Sequence, residues 1–467
     1  MLRVNKTKLL IVYIFIALSS FSYLATNLIN TTEYQHALAM LGIISIFQCL
    51  VTFFTYKVVG IEFFSLAGIF TWLNFLFHLG QPILKAISPE YSMGFDVSYF
   101  VSNETFINSA QYSLLIIMFV TLGIITLKCF ETDNTKIQNQ NLKFNTISQN
   151  NLFKLGLVIF VPTFLVEAYI QLSRLLIALS SGYLATFNVE FGGFTAFFAT
   201  FSIVGAVIML LGSKNDFKRG LFITGVYTLF YIITMFSGGR MWQVIKLILI
   251  FYYFIRVYNI QFTKKNMFFI VLTGYLAAGF LGAVAEFRSY EVSGTDYIIQ
   301  IFRDIILNNP ILDVMDEFGA SIYTLTLTID KTPITVPHSW GSQFITNLVS
   351  ILPNFSSSIE QINNNSNYVL LLETPTIGGS FIGEVYYSFR NFGPLLGFIV
   401  GTAAQAITTE VEKGFKNNNY HFIIYTIMLQ YSFISWVRGS SSVFYRNTLY
   451  SIILIFIISS FLPRKER

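Results

Sequence analysis

Long apolar stretches alternate with short polar segments along most of the chain. An apolar stretch of roughly 18–25 residues is long enough to cross about 30 Å of hydrocarbon as an α-helix. Stretches of this kind lie at residues 8–29, 37–56, 61–79, 110–130, 152–178, 192–212, 219–236, 240–258, 267–285, 392–409, 420–437 and 444–462. The pattern therefore predicts an all-α polytopic membrane protein with about twelve transmembrane helices.

One long segment, residues 286–390, is too polar to cross a membrane. It divides the chain into a transmembrane region at residues 1–285, a large loop at residues 286–390 and a second transmembrane region at residues 391–467. About nine predicted spans precede the loop and about three follow it.

Two segments of the large loop have apolar side chains at helical spacing. The first is residues 296–309, and the second contains Trp340, Phe344, Leu348 and Ile351 and stops at Pro353. We expect both to be short amphipathic helices, which makes the loop a small helical cap on the membrane surface.

Lysines indicate how the helices cross the membrane. If the N-terminus lies inside, alternation of the loops places most lysines on the cytoplasmic side, namely Lys57, Lys136, Lys143, Lys214, Lys218, Lys264, Lys265, Lys413, Lys416 and Lys465. Positive charge is enriched in the cytoplasmic loops of membrane proteins. We therefore expect both termini in the cytoplasm and the large loop on the outer face.

Composition agrees with a membrane location. Of the 467 residues, 54% are hydrophobic and 11% are charged, against about 25% charged in soluble domains. The formal net charge of +5 comes mainly from lysines of the predicted cytoplasmic loops, so it does not indicate a nucleic-acid partner. Cys49 and Cys129 both lie in apolar stretches, so no disulfide framework is expected.

Arginines follow the opposite rule to lysines. The predicted outer side contains six of them, Arg240, Arg288, Arg303, Arg390, Arg438 and Arg446, and only Lys85 and Lys331 among the lysines. A guanidinium grips phosphate with two parallel hydrogen bonds, which an ammonium cannot do. The distribution favours a site for the diphosphate of a lipid carrier at the outer interface. The alternative is that each arginine reaches phospholipid headgroups.

The segment from Gly378 to Gly393, with the sequence GGSFIGEVYYSFRNFG, contains the leading candidate base, Glu384. A glycosyl transfer from a lipid diphosphate needs a base for the acceptor hydroxyl and cations for the leaving group. His338, in the turn PHSWG, is the second candidate. The structural alternatives are that Glu384 neutralises Arg390 or caps a helix, and that His338 has a structural role.

Other acidic residues favour structural roles. Asp313, Asp316 and Glu317 share a helical face, but no histidine or cysteine cluster accompanies them. A solvated face explains them better than a cation site, and we expect neither a metal nor a cofactor. Glu167 and Arg174 lie seven residues apart on one face of a predicted span, which is typical of a structural ion pair within the membrane or, as the alternative, of a catalytic pair.

Three short motifs carry a resemblance to a known family. They are SGGR at Ser237 to Arg240, IGEVYYSFRNFG at Ile382 to Gly393, and RGS at Arg438 to Ser440. With the predicted span count and the single large outward loop, they make the chain resemble the Wzy-type polymerases. These polytopic enzymes join lipid-linked oligosaccharide repeat units of O-antigen or capsular polysaccharide.

The resemblance implies a metal-independent glycosyltransferase with a multi-spanning (GT-C-like) architecture in the bacterial plasma membrane. It implies that Arg240, Arg390 and Arg438 bind the donor's undecaprenyl diphosphate and that Glu384 is the base or a positioning group. Location on the outer side adds Arg288 to the diphosphate ligands and His338 to the catalytic candidates. The implied partners are a lipid-linked donor, a lipid-linked acceptor, membrane lipid and a protein that regulates chain length.

Two other functions stay open at this point. About twelve spans would suit a transporter or flippase for a lipid-linked glycan, although no repeated halves are visible and few charges lie near the midplane. An O-antigen ligase, which transfers the finished glycan to another acceptor, differs from a polymerase only in that acceptor.

Overall fold

The computed structural model describes residues 6–29, 33–131, 149–182, 185–186, 189, 191, 193–237, 240–260, 263, 274–282, 309–352, 368–372 and 378–460. Regular structure in these residues is helical. The helices are α1 (Lys6–Thr26), α2 (Tyr34–Val59), α3 (Leu66–Ile87), α4 (Asn103–Phe130), α5 (Gln149–Ser181), α6 (Gly193–Thr200), α7 (Ser202–Gly212), α8 (Phe217–Thr234), α9 (Arg240–Val257), α10 (Pro310–Gly319), α11 (Ile322–Lys331), α12 (Ser342–Val349), α13 (Phe381–Phe389), α14 (Gly393–Lys416), α15 (His421–Trp436) and α16 (Ser441–Ser460). Residues 274–282 are also helical.

Eight helices of the described part are long and apolar enough to cross a membrane. They are Thr7–Thr26, Tyr34–Val59, Asn103–Phe130, Gln149–Ser181, Phe194–Gly212, Phe217–Ser237, Phe381–Lys416 and Ser441–Ile458. This confirms the prediction of an all-α polytopic membrane protein.

The four other predicted spans also fall on helical residues, wholly or in part. Helices α3, α9 and α15 cover three of them, and residues 274–282 lie within the fourth. Helices α3, α9 and α15 are less suited to crossing a membrane than the eight above, each for its own reason. Helix α3 contains polar residues, α9 contains three basic residues, and α15 has only 16 residues.

The chain forms two compact units. Unit 1 consists of residues 1–142, 315–410 and 432–446, and unit 2 of residues 143–314, 411–431 and 447–467. The division predicted from polarity, with boundaries at residues 285 and 390, follows a different criterion and stays a prediction.

From residue 315 onward, the described part of the large loop belongs to unit 1. Gly80 of α3 and Gly319 of α10 allow two backbones to touch, because a Cβ on Gly80 would lie 2.8 Å from the carbonyl oxygen of Met315. Thr324 of α11 donates to the carbonyl oxygen of Gly378, at 2.8 Å. The second predicted cap helix is present as α12, whereas the one at residues 296–309 lies outside the described residues.

Helix α14 packs closely on α4 through its glycines. A Cβ on Gly401 would lie 2.0 Å from the carbonyl oxygen of Val120, and Gly123 meets Phe398 in the same way, at 2.2 Å. Small residues at such contacts let helix backbones approach within the membrane.

Candidate active site

Helix α13, at the centre of the candidate site, begins against the turn that joins α15 to α16. The side chain of Ser380 caps the helix by accepting from the Gly383 N–H at 3.0 Å. The Phe381 N–H donates to the carbonyl oxygen of Val437 at 3.2 Å. A Cβ on Gly379 would lie 2.3 Å from the carbonyl oxygen of Gly439. Gly379 and Gly439 therefore allow the backbone just before α13 to approach the turn between α15 and α16 closely.

Two further groups hold the cap in place. The Nε2 atom of His78, from α3, lies 2.9 Å from the Ser380 hydroxyl. The Tyr368 hydroxyl donates to the carbonyl oxygen of Ser380 at 3.2 Å. Burial, reinforced by the nearby Glu384, raises the pKa of the Tyr368 phenol well above its usual range. Tyr368 therefore stays protonated and remains a donor at any physiological pH.

Glu384 is fully buried and accepts hydrogen bonds at both carboxylate oxygens. Its Oε1 atom accepts from the Asn347 amide at 2.9 Å and from the Ser441 hydroxyl at 2.6 Å. Its Oε2 atom accepts from the Trp436 indole at 2.8 Å and from the Ser441 N–H at 2.9 Å. A carboxylate has about four lone-pair positions, and these four bonds occupy them.

Glu384 acts as a helix cap. Ser441 is the first residue of α16, so its N–H is one of the donors that a helix leaves unpaired at its start. The negative charge also interacts favourably with the positive end of the helix dipole. The capping alternative derived from the sequence thus agrees with the geometry. Glu384 makes no ion pair with Arg390.

Arg438 lies at the N-terminal end of α13. It is half-buried in the turn between α15 and α16. A Cβ on Gly378 would lie 3.2 Å from the Nε atom of Arg438. Arg438 also lies close enough to His78 for the two side chains to interact electrostatically.

Arg390 lies at the opposite end of α13 and is exposed. A helix of nine residues is about 13 Å long, and Arg390 and Arg438 lie at opposite ends of it. Within the part of the chain that the structure describes, the Arg390 guanidinium makes no ion pair and no hydrogen bond. Its carbonyl oxygen accepts from the Tyr112 hydroxyl at 2.8 Å.

The backbone of Arg390 is strained. Its φ of 47° and ψ of −119° are typical of the first central residue of a type II′ turn, a position usually occupied by glycine. Such conformations in other residues are concentrated at functional sites. The chain therefore places an exposed guanidinium where backbone geometry favours glycine.

His338 lies on the same side as Arg390. Its Nδ1 atom is 3.3 Å from the carbonyl oxygen of Tyr387, and its ring centre is 5.5 Å from that of Tyr386. Tyr386 in turn contacts the ring of Tyr112, the residue that bonds to Arg390. The C-terminal half of α13 thus connects His338 to Arg390.

The Nε2 atom of His338 is buried and has no hydrogen-bond partner among the described residues. A carbonyl oxygen can only accept, so Nδ1 is the protonated nitrogen and Nε2 carries the lone pair in the neutral ring. The ring of Trp340, which is 63% exposed, lies 5.6 Å from the ring of His338. His338 therefore offers an unused acceptor beside an exposed aromatic face.

The other arginines of the predicted outer side are Arg240, Arg288, Arg303 and Arg446. Arg240 is the first residue of α9, in unit 2. Arg288 and Arg303 lie outside the described residues. Arg446 donates to the carbonyl oxygen of Ser350 at 2.9 Å.

Two predictions about acidic residues are wrong. Asp316 is buried rather than solvated, and it accepts from the Gln81 amide and from the Gly94 N–H, at 3.2 and 2.6 Å. Glu167 pairs with Lys246 and accepts from Ser202, whereas the Arg174 guanidinium lies over the ring of Phe191. Glu167 of α5 therefore pairs with Lys246 of α9 and not with Arg174 of its own helix. In the described ranges, no group of three or more histidine, cysteine, aspartate or glutamate residues could hold a metal ion.

Sequence reasoning missed the partners of Glu384 and Ser380. Asn347, Trp436, Ser441 and His78 are all buried. The one available signal was that Trp436 and Ser441 flank the Arg438 motif, in the sequence WVRGSS.

The comparisons with known proteins agree with the resemblance. A family model described as O-antigen polysaccharide polymerase Wzy matches residues 9–465, nearly the whole chain. No curated protein and no solved structure matches the chain significantly.

Proposed function

We propose a role for each residue of this site on the premise that the chain belongs to the O-antigen polysaccharide polymerase Wzy family. As a member of that family, it polymerises lipid-linked repeat units into O-antigen in the membrane. In the proposed reaction, an acceptor hydroxyl attacks the anomeric carbon of the donor glycan. The bond from that carbon to the diphosphate breaks, a glycosidic bond forms, and undecaprenyl diphosphate leaves with the electron pair. The hydroxyl proton must go to a base.

His338 is our choice for that base. The observation that carries it is the buried Nε2 atom, which has a lone pair and no partner in the described chain. The Nδ1 contact with the Tyr387 carbonyl would orient the ring and hold the proton on the other nitrogen. The neighbouring Trp340 and Tyr386 rings offer faces on which an acceptor sugar can stack.

Glu384 would then act as a positioning group and not as the base. Its four lone-pair positions are used by protein donors, which leaves none for an acceptor hydroxyl. It would hold α12, α13 and the start of α16 together, and with them the turn that carries Arg438.

Arg390 would stabilise the leaving diphosphate, because it is exposed at the same end of α13 as His338. The reaction involves two lipid diphosphates, one on the donor and one on the acceptor. Arg438, at the other end of α13, is suited to the second. Arg240 and Arg288 remain proposed diphosphate ligands on their predicted position alone.

Three finer properties are also proposals. Arginines, rather than a metal ion, would balance the diphosphate charge, so activity should persist in a chelator. Both termini would lie in the cytoplasm, which protease protection of terminal tags in oriented vesicles would test. A separate protein would set the chain length, and its removal from cells should change the length distribution of the polymer but not the linkage.

A reconstituted assay tests the central proposal. Purified protein and lipid-linked repeat units should yield a ladder of products longer than two units. His338→Gln should lower the rate by about 10²–10⁴-fold, the usual contribution of a general base, whereas the same change at the exposed His36 should not. A His338→Gln protein with normal rates would contradict the base assignment. Products that stop at one unit would contradict polymerisation.

A further inference from the structure

Helix α12 has its polar face inside the protein and its apolar face outside. Gln343, Asn347 and Ser350 are buried, at 6%, 0% and 0% exposure. Ile345, Leu348 and Leu352 are exposed, at 66%, 51% and 49%. A helix on a water-facing surface has the opposite arrangement. These exposed apolar positions recur every three to four residues, so they form one stripe along the segment.

Buried hydrogen bonds prevent rotation of this helix. The Asn347 amide donates to Glu384 and to the Ser441 hydroxyl, and its oxygen accepts from Gln343 at 2.8 Å. Turning the apolar stripe inward would leave these buried polar groups without partners, which is unfavourable. The outward apolar stripe is therefore a fixed feature of the fold.

The contacts of α12 also define its depth. Asn347 bonds to Ser441, the first residue of α16, at 2.6 Å. Three residues further on, the carbonyl oxygen of Ser350 accepts from Arg446, at 2.9 Å. These two contacts place the C-terminal end of α12, and Ser350 just after it, beside the first two turns of α16. Helix α16 is long and apolar enough to cross the membrane from its first residue, so α12 lies beside one end of a candidate membrane-spanning helix.

We propose that α12 is a re-entrant helix whose exposed Ile345 and Leu348, together with Leu352 in the turn that follows, contact the acyl chains of the leaflet on the side of the large loop. An exposed apolar patch of this kind marks a membrane contact, and the stripe continues the lipid-facing surface of α16, where Val443 is also exposed. Backbone groups of a re-entrant segment are tolerated at this depth where protein covers them, and the polar face of α12 is covered by α13 and α16. This inference does not depend on the proposed function.

Depth-dependent quenching in vesicles tests the proposal. In full-length protein with Cys49→Ala and Cys129→Ala, single cysteines replace Ile345 or Leu348, and matched controls replace Thr335 and Tyr99, which are exposed in the loops. Each cysteine carries a small environment-sensitive fluorophore. The vesicles contain phosphatidylethanolamine, phosphatidylglycerol and either a nitroxide-labelled phospholipid or none, with iodide as the aqueous quencher.

The labels at residues 345 and 348 should lose most of their fluorescence to the nitroxide lipid and little to iodide, and the two controls should do the reverse. Iodide quenching of residue 345 as strong as that of residue 335 would overturn the proposal, because α12 would then face water. Quenching by neither would overturn it as well, because protein would then cover the stripe. Elution of each labelled protein as a single species in gel filtration excludes misfolding as the cause.

Discussion

The two ends of α13 differ in how their polar groups are used. At the N-terminal end, Ser380 and Glu384 lie among protein donors and acceptors, and the backbones of Gly379 and Gly439 touch. At the C-terminal end, Arg390 is exposed on a strained backbone, and the Nε2 atom of His338 has no partner among the described residues. Groups with unused hydrogen-bonding capacity are the ones available to a substrate.

This difference separates Ser380 and Glu384, which hold the site together, from Arg390 and His338, which we propose act on the substrates. Sequence motifs do not make that distinction, since Glu384 and Arg390 lie six positions apart in a single motif. Loss of Ser380 or Glu384 should therefore change folding and activity together. Damage to the C-terminal end should change activity while folding is kept or even improved.

The largest effect is expected for Glu384→Ala. It leaves the buried donors of Asn347, Trp436 and Ser441 without their acceptor, and each buried donor left without a partner costs about 1–3 kcal/mol. The variant should show a large fall in thermal stability, measured by nanoscale fluorimetry in detergent, and no polymer.

Glu384→Gln is the matched variant for this prediction. It keeps the shape but turns an –NH₂ group toward donors, so it should recover only part of the stability. Normal stability of Glu384→Ala together with lost activity would contradict the positioning role and return Glu384 to the catalytic residues.

Arg390→Lys should lower the rate by about 10–100-fold with unchanged stability. Hydrogen bonds to charged groups contribute about 1.5–3 kcal/mol, and each 1.4 kcal/mol corresponds to a tenfold change in rate. The measurement is initial rate of chain extension, with Arg219→Lys, a half-exposed arginine of unit 2, as control. Equal rates for Arg390→Lys and the control would mean that the charge alone is needed at residue 390.

Arg390→Gly should move activity and stability in opposite directions. Glycine adopts a positive φ without the side-chain clash that costs other residues about 1–2 kcal/mol, so the unfolding temperature should rise. Activity should fall at least as far as in Arg390→Lys. A lower unfolding temperature would show that the Arg390 side chain stabilises the fold, and would remove the contrast between the two ends of α13.

The helices behind this contrast could be predicted from the chain, because the length of an apolar stretch is a local property. The structural role of Glu384 as a hydrogen-bond acceptor could not be predicted in this way. Its partners Asn347, Trp436 and Ser441 lie 37, 52 and 57 positions away, and only tertiary packing brings them together. The positive φ of Arg390 was equally hidden, because a turn of this type is recognised in sequence by a glycine. The inverted polarity of α12 could not be seen either, because spacing identifies a face but not the side that it contacts.

Tyr112→Phe should have the smallest effect of these changes. It removes the hydroxyl that donates to the Arg390 carbonyl oxygen, at 2.8 Å, and leaves the ring contact with Tyr386. The carbonyl oxygen is exposed and water can replace the lost donor, so stability should fall by no more than about 0.5 kcal/mol, the lower end for a hydrogen bond. The rate should fall only a few-fold, because Arg390 would be held less firmly near His338. Tyr99→Phe, at an 83% exposed tyrosine, is the control. If Tyr112→Phe lost as much activity as Arg390→Lys, the hydroxyl itself would belong to the reacting groups, and the C-terminal end of α13 would contain one more functional residue than we assign to it.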